Sequence, residues 1–349
     1  MAGCRERPEH SVSTDRPMVR GWTITRNIPM ATIPKLKLNS GHEMPIFGLG
    51  TWLSKPGEVA NAVKIALSHG YRLLDCAYAY ENQPEIGAAL KEVFAEGKIK
   101  REDIFITTKV WNTFHSYDLA LKNVDMSLQE LGLDYLDLVL IHWPTGFKEG
   151  GPIFPKSETG DKMLYSDVDY LETWKALEAK VKEGKIRSIG LSNFSAQQIQ
   201  RVIDNSQIKP ANLQVELHPY FQQSDLVAYC KSKGITVTAY SPLANPAMPF
   251  HKQGDPNVLY DETISQIAKN HNKTNAQVSL KALVQMGIAV IPKSVNENRI
   301  KENFDLWNFT LNDSEMEQVK KMDRNLRFLD LSARDGDHPH FPWGAPSVK

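Results

Sequence analysis

The sequence predicts a (β/α)8 barrel, and three observations carry that prediction. Short apolar stretches rich in β-branched residues alternate with segments whose apolar residues recur at spacings of three and four, the pattern of a parallel sheet wrapped by helices. Three of those stretches run into an ionisable residue: 71–75 ends in Asp75, 104–109 in Lys109 and 136–142 in His142, with Tyr80 just past the first. The two longest interruptions, 144–169 and 241–260, both follow strand ends, where barrel enzymes build substrate sites. A charge closing an apolar strand is costly to bury without a partner, so three in equivalent places imply that the strand ends converge on one site. The chain has 349 residues, ample for a barrel of about 250.

In chain order, residues 1–32 read as a disordered extension, because the segment carries Arg5, Arg7, Arg16, Arg20 and Arg26 with no apolar helical stripe. Its Arg and Ser content argues for mitochondrial import, while Glu6, Glu9, Asp15 and the missing amphipathic face argue for the cytoplasm, the compartment expected here. Met30 offers an alternative start. Residues 33–349 read as a single domain. It opens with a hairpin around Asn39-Ser40-Gly41, placed to plug one barrel end. Strands are expected at 46–50, 71–75, 104–109, 136–142, 186–191, 213–216, 235–239 and 288–291. Helices are expected at 59–69, 84–96, 119–131, 171–183, 197–205 and 225–233, each with an apolar stripe. Long loops follow strands four and seven, and a final loop closes the chain.

Composition narrows the function. Formal net charge is zero and the isoelectric point about 7.2, so no global field draws nucleic acid or an anionic membrane, and an anionic ligand must be held locally. Cys4, Cys76 and Cys230 are odd in number and lack metal-ligand spacing, which predicts a reducing compartment, no disulfide framework and no metal. No apolar run reaches membrane-spanning length, and no heptad repeat suggests anything beyond a monomer. Gly48-Leu49-Gly50 after a strand, with Asp75 downstream, mimics a dinucleotide fingerprint, but Thr51-Trp52-Leu53 stands where the third glycine belongs. That pair therefore reads as turn chemistry.

The stretches 70–82 (GYRLLDCAYAYEN), 131–144 (LGLDYLDLVLIHWP) and 291–299 (IPKSVNENR) resemble the three signature motifs of the aldo-keto reductase superfamily. The run 142–148 (HWPTGFK) is similar to its aldose reductase and aldehyde reductase branch. The resemblance covers nearly everything after Met30 and implies a (β/α)8 barrel that reduces carbonyls with NADPH. It places Asp75, Tyr80, Lys109 and His142 on the catalytic tetrad.

The chemistry asks for the same residue types. Hydride addition to a carbonyl leaves negative charge on oxygen, which needs a proton donor in a dry site. Tyr80 is the candidate acid. A phenol titrates near 10. A Lys109 ammonium, kept charged by Asp75, is expected to lower that value. A neutral His142 would orient the oxygen. Taken singly, these residues also read as a buried ion pair, a core tyrosine and a satisfied histidine; their shared position at a barrel mouth favours chemistry.

Lys293, Ser294 and Arg299 lie at the opening of a helix just after strand eight, where free N–H groups and two cations suit a phosphate, here the 2′-phosphate of NADP. The resemblance adds Val295, Glu302 and Asn303 to that end. It puts Ser192, Asn193 and Gln214 on the nicotinamide carboxamide, Tyr240 against its ring, Ser241 and Leu243 along the pyrophosphate, and Thr51 and Trp52 beside the cofactor. One departure stands out. Residues 244–248 lack the aspartate that straps the cofactor to the motif lysine in aldose reductase-like members, so Lys293 is expected to lack a latch and NADP to leave faster.

Trp52, Trp111, Trp143, Phe154 and Phe250 are expected to form an aromatic pocket with Tyr80 and His142, suited to apolar or aromatic carbonyls. The family's final loop shapes selectivity; within it Arg334 is expected in solvent rather than on an acidic substrate. Two function classes follow: an NADPH-dependent aldehyde and ketone reductase, or a cofactor-binding protein of the same fold with incidental chemistry, as in reductase-like channel subunits or lens proteins. The intact tetrad disfavours the second.

Overall fold

A computed structural model describes residues 33–244 and 254–343, and it is a (β/α)8 barrel. β1 (Lys35–Lys37) and β2 (Glu43–Pro45) pair antiparallel as the expected hairpin. Its turn lies against the N-terminal barrel end: the Asn39 amide donates to the Pro210 carbonyl at 2.7 Å, and the Ser40 hydroxyl meets that of Ser188 at 2.8 Å.

Eight parallel strands follow in sequence order: β3 (Leu49–Gly50), β4 (Leu73–Asp75), β5 (Phe105–Val110), β6 (Leu136–Ile141), β7 (Ile186–Ser192), β8 (Asn212–Glu216), β9 (Thr236–Tyr240) and β10 (Ala289–Val290). The seam closes between first and last through parallel bridges Phe47 to Val290 and Gly50 to Lys293. Close approach on both sides of β3 requires two glycines, Gly48 toward β4 and Gly50 toward the seam. A Cβ on Gly48 would meet Leu73 Cγ at 2.5 Å, and one on Gly50 would meet the Ile291 carbonyl at 2.6 Å. Close strand packing, not a phosphate, requires them.

The strands are buried almost throughout because helices cover their outer faces; all six residues of β6 are buried. These helices are α1 (Val59–Ser68), α2 (Gln83–Ala95), α3 (Tyr117–Leu131), α4 (Tyr170–Lys182), α5 (Ala196–Asp204), α6 (Ser224–Ser232), α7 (Glu262–His271), α8 (Asn275–Gln285) and α9 (Glu297–Phe304). Local signals start them. Asp169 caps α4 by accepting from the Leu171 N–H, and Ser195 with Gln198 and Thr274 with Gln277 form capping boxes on α5 and α8. Each fully buried Leu, Ile or Val facing the sheet contributes about 1.5–3 kcal/mol. α10 (Asp313–Lys320) and α11 (Ser332–Asp335) end the described fold.

The first long loop folds back on itself through antiparallel bridges Phe147 to Tyr165 and Lys156 to Met163. Of the second, residues 245–253, Phe250 included, lie outside the described residues, as do 1–32 and 344–349. Among the described residues no helix is long and apolar enough to cross a membrane.

Candidate active site

The site is built at the C-terminal ends of the strands. β4 delivers Asp75, which is 3 % exposed, and β5 delivers Lys109, 1 % exposed. The Lys109 ammonium donates to Asp75 Oδ2 at 2.7 Å, to the Cys76 carbonyl at 2.9 Å and to the Tyr80 hydroxyl oxygen at 3.1 Å. All three of its protons are thus engaged. Asp75 Oδ1 accepts from Gln214 Nε2 at 2.7 Å, and the Asp75 carbonyl accepts from the Thr51 hydroxyl at 2.8 Å. Tyr80 closes a single 3-10 turn, Tyr78–Tyr80, that swings its ring over Lys109, 4.9 Å from ammonium to centroid. His142 follows β6 directly. Its ring stands edge-on to Tyr80 and Trp111, with centroids 5.8 and 5.1 Å away.

The electrostatics differ from the sequence expectation at one point. Lys109 was expected to pull the Tyr80 phenol down. Instead burial pushes it well above 10, and the Asp75 and Cys76 charges add to the rise. The reason is charge balance: the ammonium that would favour phenolate is spent on Asp75, so desolvation dominates. Because Lys109 donates into the Tyr80 oxygen, the phenolic proton remains free to point elsewhere. His142 is driven well below the ordinary imidazole range by burial, with the Lys109 charge adding to the fall, so it is neutral as expected.

From this floor one continuous groove of about 830 Å³ runs across the barrel mouth to α9, and every site residue named from sequence lines it except Lys109, which lies buried beneath, and Phe250, which is not described. Along the groove, Asn193 sits at φ 61, its amide donating to the His142 carbonyl at 3.0 Å and to the Ser192 hydroxyl at 3.1 Å, while its Oδ1 accepts from the Tyr240 hydroxyl at 2.8 Å. Ser241 and Ala244 hold a tight turn, both at positive φ, which brings Leu243 to the groove wall. At the far end Asn296 caps α9 by accepting from the Arg299 N–H at 3.0 Å. Ser294 and Val295 precede that cap; Asn303 is buried, and Glu302 accepts from the Thr274 hydroxyl at 3.0 Å. Lys293 donates to the Leu53 carbonyl at 3.1 Å. Partial burial lowers its pKa, against the pull of Glu58. Its bond thus runs to a neutral carbonyl beside Thr51 and Trp52, while residues 245–248, within the segment that lacks a strapping aspartate in sequence, lie outside the described residues.

On the other side Trp111 and Trp143, each 4 % exposed, and the more open Trp52 and Phe154 form apolar walls. The Trp111 indole N–H donates to the Ile153 carbonyl at 2.7 Å, fixing its ring edge-on to Phe154. Sequence reasoning missed Leu329 and Leu331 from the final loop and Leu259, Tyr260, Thr274 and Asn275 near α8, all of which line the groove. The Thr274 to Gln277 capping box was a legible signal for the last two. Arg334, expected in solvent, lies on the wall: it pairs with buried Asp335 at 2.8 and 2.5 Å and lies 5.6 Å from the Phe147 and Phe154 rings.

The mouth of a closed barrel thus brings a carboxylate, a phenol and an imidazole to one groove over a buried lysine, and comparison with known proteins places such a barrel among the oxidoreductases. Residues 46–324 match the Aldo/keto reductase family, and the chain belongs to it. It is 44 % identical to aldo-keto reductase family 1 member A1-A of Danio rerio over 320 residues, 89 % of this chain and 98 % of that one. With member A1 of Homo sapiens it shares 41 % over 318 residues, covering 88 % and 98 %. The solved aldose reductase of Schistosoma japonicum superimposes with a TM-score of 0.84 at 45 % identity, covering 90 % of this chain and 99 % of that one.

Proposed function

We propose that this protein reduces aldehydes and ketones to alcohols with NADPH, with Tyr80 as the general acid. The observation that carries this is the hydrogen-bond direction at the floor: Lys109 donates into the Tyr80 oxygen, leaving the phenolic proton for a substrate. A phenol with a raised pKa stays protonated at neutral pH, and the alkoxide formed by reduction is more basic than phenolate, so the transfer runs downhill. His142, neutral and beside Tyr80, is suited to donate one N–H to the same oxygen and fix its position. Asp75 keeps the ammonium in place, and that ammonium steadies the phenolate once the proton has left.

The groove fits a dinucleotide phosphate. When bound, NADPH supplies the hydride. Gln214, Asn193 and Ser192 offer amide and hydroxyl groups beside the floor for a carboxamide, Tyr240 offers a ring face, and Thr51 and Trp52 form the near lip. Ser241 and Leu243 would flank the pyrophosphate. At the far end Lys293, Ser294, Val295, Arg299, Glu302 and Asn303 surround the α9 N-terminus, where the helix dipole and two cations favour a 2′-phosphate and hence NADP(H) over NAD(H). With Lys293 held by a neutral carbonyl of the near lip, a loose strap and fast NADP release are expected; a slow closure step in stopped-flow fluorescence would contradict this.

The walls of Trp52, Trp111, Trp143 and Phe154 favour apolar or aromatic carbonyls. Arg334 lines the same wall with its charge matched by buried Asp335, so it adds polarity there without a net charge. The test is NADPH absorbance loss with a panel of aromatic aldehydes, sugar aldehydes and ketosteroids, with NADH in parallel. Oxidation with aromatic aldehydes and a preference for NADPH is expected; no oxidation with any carbonyl would end the proposal.

A further inference from the structure

The carboxylate of Glu216 is fully buried at the end of β8, 0 % exposed; its residue lies in register with Tyr240 and its charge helps raise the Tyr240 phenol, but its own hydrogen bonds run to the final loop instead. Its Oε1 accepts from the Phe328 N–H at 2.8 Å and lies 2.9 Å from His218 Nε2, while Oε2 accepts from the Leu329 N–H at 2.9 Å. His218 is itself 0 % exposed. Three donors thus meet on one carboxylate, two of them backbone groups of the final loop.

The loop lies outside both helix and strand here and enters the clasp from a turn in which the Arg324 and Leu326 N–H groups both donate to the Tyr220 carbonyl, at 3.0 and 3.1 Å, with Phe328 buried against the His218 ring. Its next residues, Leu329, Leu331 and Arg334, form a wall of the groove. Immediately before the clasp, Arg327 stacks on Trp343 at 3.6 Å and lies over Phe221 at 4.4 Å, and Trp343 in turn packs edge-on against Trp143. The clasp therefore fixes where the tail leaves the barrel, and so where its wall stands over the substrate side. An isolated buried carboxylate is costly. Charge-assisted bonds to two successive backbone N–H groups offset that cost only when the tail is docked.

We propose that Glu216, held by His218, is a positioning residue that sets substrate selectivity by docking the final loop. The proposal rests on the carbonyl reductase reading of the groove. Carbonyl compounds large enough to reach Leu331 should depend on the clasp, and a three-carbon aldehyde that ends at Trp111 and His142 should not.

The experiment is Glu216→Gln in the full chain, read three ways. KM for a bulky aromatic aldehyde should rise roughly tenfold, the scale of a lost charged hydrogen bond, with kcat little changed, while both constants for propanal hold within roughly twofold. NADPH affinity, followed by protein fluorescence, should be unchanged. Amide exchange at Phe328 and Leu329 should accelerate. Glu216→Asp, which keeps the charge, should fall between, and it serves as the test variant if the glutamine form does not fold. In combination with Leu331→Ala the effect on the bulky substrate should be less than additive, because both act on one wall. An equal loss for both aldehydes, weakened NADPH binding or unaltered exchange at the two amides would overturn the proposal. If the unaltered protein oxidises NADPH with no carbonyl, the reductase reading fails instead, and amide exchange alone decides whether the clasp exists.

Discussion

Two buried carboxylates on the barrel strands, Asp75 and Asp137, have almost the same exposure, 3 % each, and both are ion-paired, yet only one faces a groove. Asp75 ends β4 and pairs with Lys109, whose remaining protons reach Cys76 and Tyr80. Asp137 is the second residue of β6, at the opposite end of the barrel. It pairs with Arg101 at 2.7 Å and Arg187 at 3.2 Å and accepts from the Ile106 N–H at 2.9 Å. Both guanidinium groups lie over the Tyr135 ring, at 4.0 and 3.8 Å. A buried ion pair is therefore not itself a site. What separates the two is the third partner: a point-charge ammonium donates a hydrogen bond to a phenol oxygen in an open groove, whereas planar guanidinium groups are locked against the face of an aromatic ring away from it.

The contrast is tested most sharply by Tyr80→Phe. Turnover should fall by roughly 10²–10⁴-fold, the range of general acid catalysis, with NADPH binding intact by fluorescence; retained turnover would remove Tyr80 as the acid. Next comes Lys109→Met, which leaves Asp75 buried without its cation. Thermal unfolding should show a loss of about 3–5 kcal/mol, and turnover should fall as well, because the phenolate loses its support. Asp137→Asn probes the other end. Its arginine partners keep solvent contact, with side chains 16 % and 39 % exposed, so the loss should be smaller, about 1–3 kcal/mol. Its kcat should equal that of the unaltered protein. A fall in kcat there would mean that the two ends of the barrel are coupled.

The position of a charge along its strand made this difference legible in sequence. Asp75, Lys109 and His142 close apolar stretches, and such stretches in a parallel barrel end at one mouth, so the floor could be read without coordinates. Asp137 was passed over because it sits inside an apolar stretch, where polarity marks the sealed end. The final loop was the least legible part. Leu329, Leu331 and Arg334 follow no helical or alternating period, and their places are set by the distant Glu216 and by buried Asp335. Arg334 looked solvent-bound because a charged residue in a polar run usually is; the Asp335 carboxylate and two aromatic rings hold it on the wall instead. The shortness of β3 and β10 was likewise invisible, since it reflects seam closure by isolated bridges rather than any change in residue type.

The smallest expected effect concerns pH and a histidine buried against the first long loop. His115 lies 0 % exposed beneath the first long loop. Burial lowers its pKa to about 3, helped by His338 and His340 of the final loop and opposed by the Trp143 backbone and Asp169. His338 and His340 are also lowered, burial again first. The unfolded chain accepts a proton on each imidazole below pH of about 6.5, and the folded chain refuses it. The unfolded state then binds more protons, so stability is complete above that pH and declines as pH falls toward 3. For His115 alone the slope approaches about 1.4 kcal/mol per pH unit in that window. Denaturant titrations at pH 7 and pH 5 should therefore show a greater loss for the unaltered protein than for His115→Asn, by about 1–2 kcal/mol. Since Asp137 carries no such imidazole beside it, Asp137→Asn should keep the full pH dependence. Equal losses for His115→Asn and the unaltered protein would place the acid sensitivity elsewhere, among His142, His338 and His340.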